Sequence, residues 1–376
     1  MQTGFNETKA IQLMKKEGLD AVVVTSPENV TYATGFLIPS QRIIPERLAI
    51  AVIPIEGKAA LITSTIEENL AKKNSKIREL ETYVDRVTSP MDALFSVLRR
   101  KKLDQSRIGL EKRHLAAIYY EELLKLMPRA TVVDGAQVFD EMRSIKNCSE
   151  IEVLREAAGA TEDAVIKGFA STRERNTEAA LARNIKRYLN DVGAMVPHHL
   201  TVSAGPNTFL LHHTPGLKKL QSGEPIYIDA GAVFELGYLS DMGLTGIVGR
   251  PSSGQAQMYK KLVKVHRETI SLLKPGMQVA DLYKASQRLF EREGIPSGRQ
   301  RLANIGHGLG LSTHERPIVN AVSGDTVEAS MVICVEEDIE SSRERFHVED
   351  TVLVTKHGPQ YLTRHSESGE MTSLGK

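Results

Sequence analysis

Apolar runs that close on an acid constrain this chain more than any other feature. Ile226-Tyr-Ile-Asp229 and Val332-Ile-Cys-Val-Glu336 have the composition of buried strands, yet each ends in a carboxylate. Asp241, His307 and Glu349 stand at the edges of similar segments. Taken singly, such an acid reads most simply as a solvated residue closing a strand or opening a turn. The spacing of the set argues for more: Asp229 and Asp241 are 12 positions apart, and Glu336 and Glu349 are 13 apart. A hairpin-like return brings each pair to one place. Four carboxylates in one pocket cannot all stay ionised without cations, because repulsion and desolvation raise their pKa values. Divalent metal answers that problem. A donor set rich in oxygen, with few nitrogens and no thiolate, suits Mn²⁺, Co²⁺, Fe²⁺ or Zn²⁺ in a pair about 3.5 Å apart.

The remaining chain reads as two domains, in keeping with 376 residues and a usual domain size of about 150. Up to residue 145, helical stretches (Phe5 to Glu17, Ser89 to Lys101, Leu115 to Leu126) alternate with strands at Asp20 to Thr25, Leu48 to Pro54, Ala59 to Thr63, Arg107 to Glu111 and Ala130 to Asp134. That pattern predicts an α/β domain. Polar residues from Ser144 to Glu152 mark the boundary. Residues 146–376 then read as α+β, with helices at Ile151 to Phe169, from Asn176 or Thr177 to Gly193, Gln255 to Leu273 and Val279 to Glu293. Strands fall at Leu200 to Ala204, Ile226 to Asp229, Val332 to Glu336 and Phe346 to Thr355.

Composition narrows the function by exclusion. With 48 Lys+Arg against 47 Asp+Glu, the charge balance gives no reason to expect a nucleic-acid partner. No apolar run reaches the ~18 residues of a membrane span, and residues 1–18 lack the order of a secretory signal. Cys148 and Cys334 lie 186 positions apart without a CxxC, unlike a disulfide scaffold or structural zinc site. A soluble protein of the reducing cytoplasm is expected.

A second cluster is Asn304-Ile-Gly306-His307-Gly308-Leu-Gly310-Leu-Ser-Thr-His314-Glu315-Arg316-Pro317. Its glycines allow close approach of a ligand to the backbone; a phosphate loop is the rival reading, but no Gly-Lys-Ser/Thr follows. A third is Gly205-Pro-Asn-Thr-Phe-Leu-Leu-His212-His213, a turn running into paired histidines. His198-His199, after Pro197, reads as structural.

With these residues in view, the sequence resembles the pita-bread metallopeptidases, the Xaa-Pro aminopeptidases and prolidases. The resemblance rests on Asp229-Ala-Gly231, Tyr238-Leu-Ser240-Asp241, the segment from Gly306 to Pro317, Val335-Glu336 and Val348-Glu349-Asp350-Thr351. The segment Gly18 to Phe36 is similar to the start of the creatinase/prolidase N-terminal domain. The implied architecture is an α/β N-terminal domain (1–145) followed by an α+β pita-bread domain of creatinase/aminopeptidase type (146–376). The implied centre holds two divalent metal ions on Asp229, Asp241, His307, Glu336 and Glu349, with Asp241 and Glu349 bridging. The implied reaction is attack of a metal-bridging hydroxide on the amide before proline, in Xaa-Pro dipeptides or longer peptides. Glu336 doubles as proton shuttle, and His212 and His314 contact substrate. A homodimer is also implied.

Four departures bear on substrate and metal. The two aspartates are one position further apart than usual, an excess that Gly237 can absorb. Gly243-Leu244-Thr245 replaces the usual Thr-Arg-Thr. Glu336-Glu337-Asp338 replaces Glu-Pro-Gly and adds negative charge to the pocket if those side chains face inward. His347 replaces an arginine that grips the substrate carboxylate, leaving Arg316, Arg343 or Arg345 as substitutes. Two alternatives follow: a C–N hydrolase or lyase acting on a small, cationic non-peptide, or a non-catalytic binding module on the same fold.

Overall fold

The computed structural model describes residues 3–295, 303–341 and 344–374; the position of Arg343 lies outside them. The chain divides into two compact units, Met1–Arg143 and Ser144–Lys376.

In the first unit, strands β1 (Ala21–Val24), β2 (Ile50–Pro54), β3 (Ala60–Ser64), β4 (Glu79–Tyr83), β5 (Arg107–Leu110) and β6 (Thr131–Asp134) form one mixed sheet in the order β4-β3-β2-β1-β5-β6. Its core gathers Val23, Ile50, Val52 and Ile62 from the strands with Leu94, Val97 and Leu98 from the helix Pro90–Arg100. The strand at Glu79–Tyr83 is absent from the sequence reading because three of its five residues are charged or polar and four are only partly buried. The helix Pro27–Thr34 was likewise unread. It starts at Ser26, whose hydroxyl accepts from the Asn29 N–H, and stops at Gly35 with φ 67°, a pairing of N-cap and left-handed C-cap that needs few apolar residues.

The second unit curls a larger sheet under two pairs of helices. Its main path is β11-β10-β12-β13-β9-β8-β7, made of β7 (Val196–Ala204), β8 (Pro225–Val233), β9 (Met242–Ile247), β10 (Asn304–Gly308), β11 (Glu315–Asn320), β12 (Val332–Glu340) and β13 (Arg345–Thr355). Short strands β14 (Gly358–Tyr361) and β15 (Thr372–Ser373) pair with β13 and β9. Helices Cys148–Ala170 and Glu178–Asp191 pack on Ile226, Ile228, Ala230 and Leu244. Helices Ser253–Ser271 and Val279–Arg292 cover Ile333, Val335, Val348 and Val352. The first of these four helices begins earlier than its apolar pattern indicates, because Asn147 and Glu150 form a capping box ahead of Ile151.

Strand periodicity places everything that follows. Alternate residues point to opposite faces, so once Ile226, Ile228 and Ala230 face the helices, Tyr227, Asp229 and Gly231 face the other way. The same alternation on β12 and β13 turns Cys334, Glu336 and Asp338, and Arg345, His347 and Glu349, away from the helical layer.

Candidate metal centre

Pairing register lines up a single row across the sheet. Glu336 on β12 stands opposite Glu349 on β13. Glu349 stands opposite Gly243 on β9, and Gly243 opposite Asp229 on β8. Asp241 lies just before β9, after the turn Glu235–Gly237, where Leu236 and Gly237 have φ of 56° and 86°. That turn lies between the two aspartates, where Gly237 falls. It is held to the helix Cys148–Ala170 at two points: the Tyr238 hydroxyl donates to Glu150 (2.7 Å), and the Thr161 hydroxyl donates to Ser240 (2.6 Å).

His307 reaches the row through a bulge. Ile305 packs under the helices, and simple alternation would send His307 there too. Pairing with β11 shifts register on both sides of His307, and Gly306 adopts φ 151°. The imidazole is thereby opposite Cys334 on the carboxylate face, a use of a bulge to re-aim a side chain. Only glycine fits at 306: a Cβ there would lie 2.1 Å from the Cys334 carbonyl oxygen. His307 Nε2 sits 3.8 Å from Asp241 and 4.0 Å from Glu349.

Asp229, Asp241, His307, Glu336 and Glu349 all line one cleft of about 750 Å³, together with His212 and His314. His314 stacks edge-on against His307 with ring centroids 4.3 Å apart. His212 adopts φ 55°, a left-handed conformation that costs a non-glycine residue about 1–3 kcal/mol and concentrates at functional sites. His213 turns aside to Glu178, 2.9 Å away.

Without cations the centre is electrostatically frustrated. Burial, and then Asp229, Asp241 and Asp338, push Glu336 up to about 8. Burial and the neighbouring Asp241 and Glu336 push Glu349 well above its ordinary value. The buried Glu349 Oε1 makes no hydrogen bond among the described residues. These are the features of a pocket shaped for positive charge. The groups whose donor atoms lie within 4.8 Å of one another are Asp241, His307, Cys334 and Glu349; His199, Asp229 and Asp241; and Glu336, His347 and Glu349. Four carboxylates and at least one imidazole at that density fit divalent metal.

Two histidines belong to this setting that sequence reasoning left out. His199, read as structural, has Nε2 2.9 Å from Asp229 and 3.1 Å from Asp241. Burial works against its charge, but Asp241 and Asp229 hold it protonated up to about 11. The available signal was its place on β7, where Thr201, two residues on, pairs with Asp229. His347, read as a lost arginine, stands opposite Asp338, two residues along β13 from the carboxylate row and on the same face, and stacks on Tyr227 at 4.7 Å. Burial drives its pKa down to about 3.

Each of the doubled acids has its own partner. Glu337 faces the helical layer, bonded to His266 (3.1 Å), Thr269 (2.9 Å) and Ser286 (2.5 Å). Asp338 is on the cleft face but forms a fully buried ion pair with Arg345. Glu337 thus adds no charge to the cleft, while Asp338 brings its counter-ion with it. Arg345 is held in that same pair, and Arg316 bonds Asp325.

Fold and centre together define a metal-dependent peptidase. Residues 152–356 match the model of metallopeptidase family M24, and residues 8–145 match the creatinase/prolidase N-terminal domain; the chain belongs to family M24. It is 28% identical to a protein of Staphylococcus epidermidis described as an uncharacterized peptidase, over 97% of this chain and all of the relative. A Staphylococcus aureus protein with the same description is 27% identical over 96% of this chain and 99% of its own length. Among solved structures, the prolidase from Pyrococcus horikoshii superposes with TM-score 0.84 at 26% identity, covering 95% of this chain and 97% of its own. The Xaa-Pro dipeptidase from Bacillus anthracis has TM-score 0.87 at 22% identity, covering 98% and 100%, and shares the fold.

Proposed function

We propose that this protein is a dinuclear metallopeptidase that cleaves the amide bond before proline in Xaa-Pro dipeptides or longer peptides. The observation that carries the reading is the convergence of Asp229, Asp241, His307, Glu336 and Glu349 on one face of the curled sheet. Asp229 would hold one ion, Asp241 and Glu349 would be shared by both, and His307 and Glu336 would complete the second. Bound there, Mn²⁺, Co²⁺, Fe²⁺ or Zn²⁺ would polarise the scissile carbonyl and make a water nucleophilic near neutral pH.

The chain's own residues do the rest. Glu336 lines the cleft, where its carboxylate oxygen would take a proton and return it to the departing proline nitrogen. His314, set edge-on to His307, and His212, on its strained turn, line the cleft where they can donate to the carbonyl oxygen as charge develops. Lys186 is a further cation of the cleft wall and is available to a substrate carboxylate.

Proline release from Xaa-Pro dipeptides and longer peptides, after loading with manganese or cobalt, tests this. Turnover with either metal supports it; no turnover on either class with either metal overturns it. The prolidase and Xaa-Pro dipeptidase names of the structural relatives support the proline preference. Among the described residues no helix is long and apolar enough to cross a membrane. We place the enzyme in the cytoplasm as a homodimer; sedimentation at the monomer mass would refute the assembly.

A further inference from the structure

We propose that His347 is an additional metal ligand, which turns the Glu336–Glu349 end of the centre into a carboxylate–imidazole–carboxylate site. The inference rests on the dinuclear reading above and concerns a residue outside the five-ligand set.

His347 is fully buried, at 0% exposure, and both ring nitrogens lack a hydrogen-bond partner among the described residues. Buried polar atoms are rarely left so, and a buried imidazole with two idle nitrogens is a ligand without its ion. Its surroundings aim it. β13 puts it two residues from Glu349, on the same face, with Nε2 3.7 Å from Glu349 Oε2. Its donor atom, one of Glu336 and one of Glu349 lie within 4.8 Å of one another. The ring stacks on Tyr227 with an interplanar angle of 27°. Its backbone is pinned to β9, since the His347 N–H donates to the Thr245 hydroxyl (2.7 Å), which donates back to the His347 carbonyl (2.9 Å).

The space for the ring comes from Gly243. A Cβ on Gly243 would lie 2.1 Å from His347 Nε2, so any larger residue there displaces the imidazole. The departures at 243 and 347 are therefore one structural change: the side chain removed from β9 makes room for the ring added on β13. In chemical terms, a nitrogen donor enters an oxygen-rich set. That shifts preference from Mn²⁺, which favours oxygen, toward Co²⁺ and Zn²⁺, which accept imidazole readily.

The test compares wild-type protein with His347→Gln and Gly243→Ala, using the full chain stripped of metal. The readouts are the visible spectrum of the cobalt-loaded protein and competition of a chromogenic chelator for zinc and manganese. Both variants are expected to alter the cobalt spectrum and weaken zinc binding by roughly 10-fold or more while manganese changes less, a loss within the range of disturbed metal sites. Gly243→Ala keeps the imidazole but moves it, so it decides the matter where His347→Gln fails to fold. Cobalt spectra and zinc affinities equal to wild type, in variants whose metal-free circular dichroism is unchanged, overturn the assignment. A uniform loss for all three metals with an unaltered cobalt spectrum also overturns it, leaving His347 a positioning residue. Wild-type protein that binds no divalent metal overturns instead the dinuclear reading.

Discussion

Replacing Gly306 by alanine should damage the centre and the fold by separable amounts. The added methyl would meet the Cys334 carbonyl oxygen at 2.1 Å, and alanine at φ 151° is held in a region that is nearly glycine-only. Strain of that kind costs about 1–3 kcal/mol, and forcing an extra carbon into packed structure about 1–3 kcal/mol more. The sum, roughly 2–6 kcal/mol, corresponds to a fall in melting temperature of about 5–20 °C for a unit of this size. The bulge is also what turns His307 toward Asp241 and Glu349, so relaxing it should weaken metal binding by roughly 10–100-fold. Ile305→Val is the matched control. It trims the helix-facing side of the same strand and should cost about 0.5–1.5 kcal/mol without touching metal affinity. Scanning calorimetry of stripped protein and zinc competition measure the two effects. Wild-type metal affinity in a destabilised Gly306→Ala protein would refute the claim that the bulge aims His307.

Three further outcomes follow from the geometry. His307→Ala and Glu336→Ala should each abolish turnover with the metal-free circular dichroism unchanged, because the sheet forms the cleft; activity in either refutes its assigned role. Breaking the buried Asp338–Arg345 pair with Arg345→Met should cost about 3–5 kcal/mol, and adding Asp338→Leu should recover part of that loss, since one buried charge alone is worse than none; chemical denaturation of both proteins decides it. His266, between Glu337 and Asp350, has its pKa raised from 6.5 to about 9, burial opposing and the two acids prevailing. Its stabilising contribution is complete below pH 6.5 and disappears as pH rises through 9, so wild-type protein should lose stability over that interval and His266→Gln should lack that slope.

Most of the fold was legible because its strands are short and apolar and its helices carry caps. Val332 to Glu336 was read too short; β12 continues to Glu340 because Glu337 finds His266 and Asp338 finds Arg345, partners far away in the chain. The same non-locality hid β9, a strand of Met242-Gly-Leu-Thr-Gly-Ile with two glycines. At the site, the acids were visible as a set, but Glu336-Glu337 and Glu349-Asp350 put an acid on each face of two strands. Flanking Val335 and Val348, buried under the helices, tell which is which. His199 and His347 could not be weighed from sequence: one becomes informative through its cross-strand neighbour, the other through the side chain that Gly243 lacks.

The network on the helical side gives the sheet a second chemical address. Asp350 accepts from Thr363 (2.6 Å) and Ser366 and meets His266 at 3.0 Å, while His365 bonds the Gly243 carbonyl at 2.9 Å. These contacts adjoin Glu349, Glu336 and the glycine beside His347 through the backbone, yet none of their side chains opens on the cleft. Substitutions at 266, 286, 363 and 365 are thus the places to retune how tightly metal is held while the surface presented to a peptide stays as it is, a control reached from behind the wall.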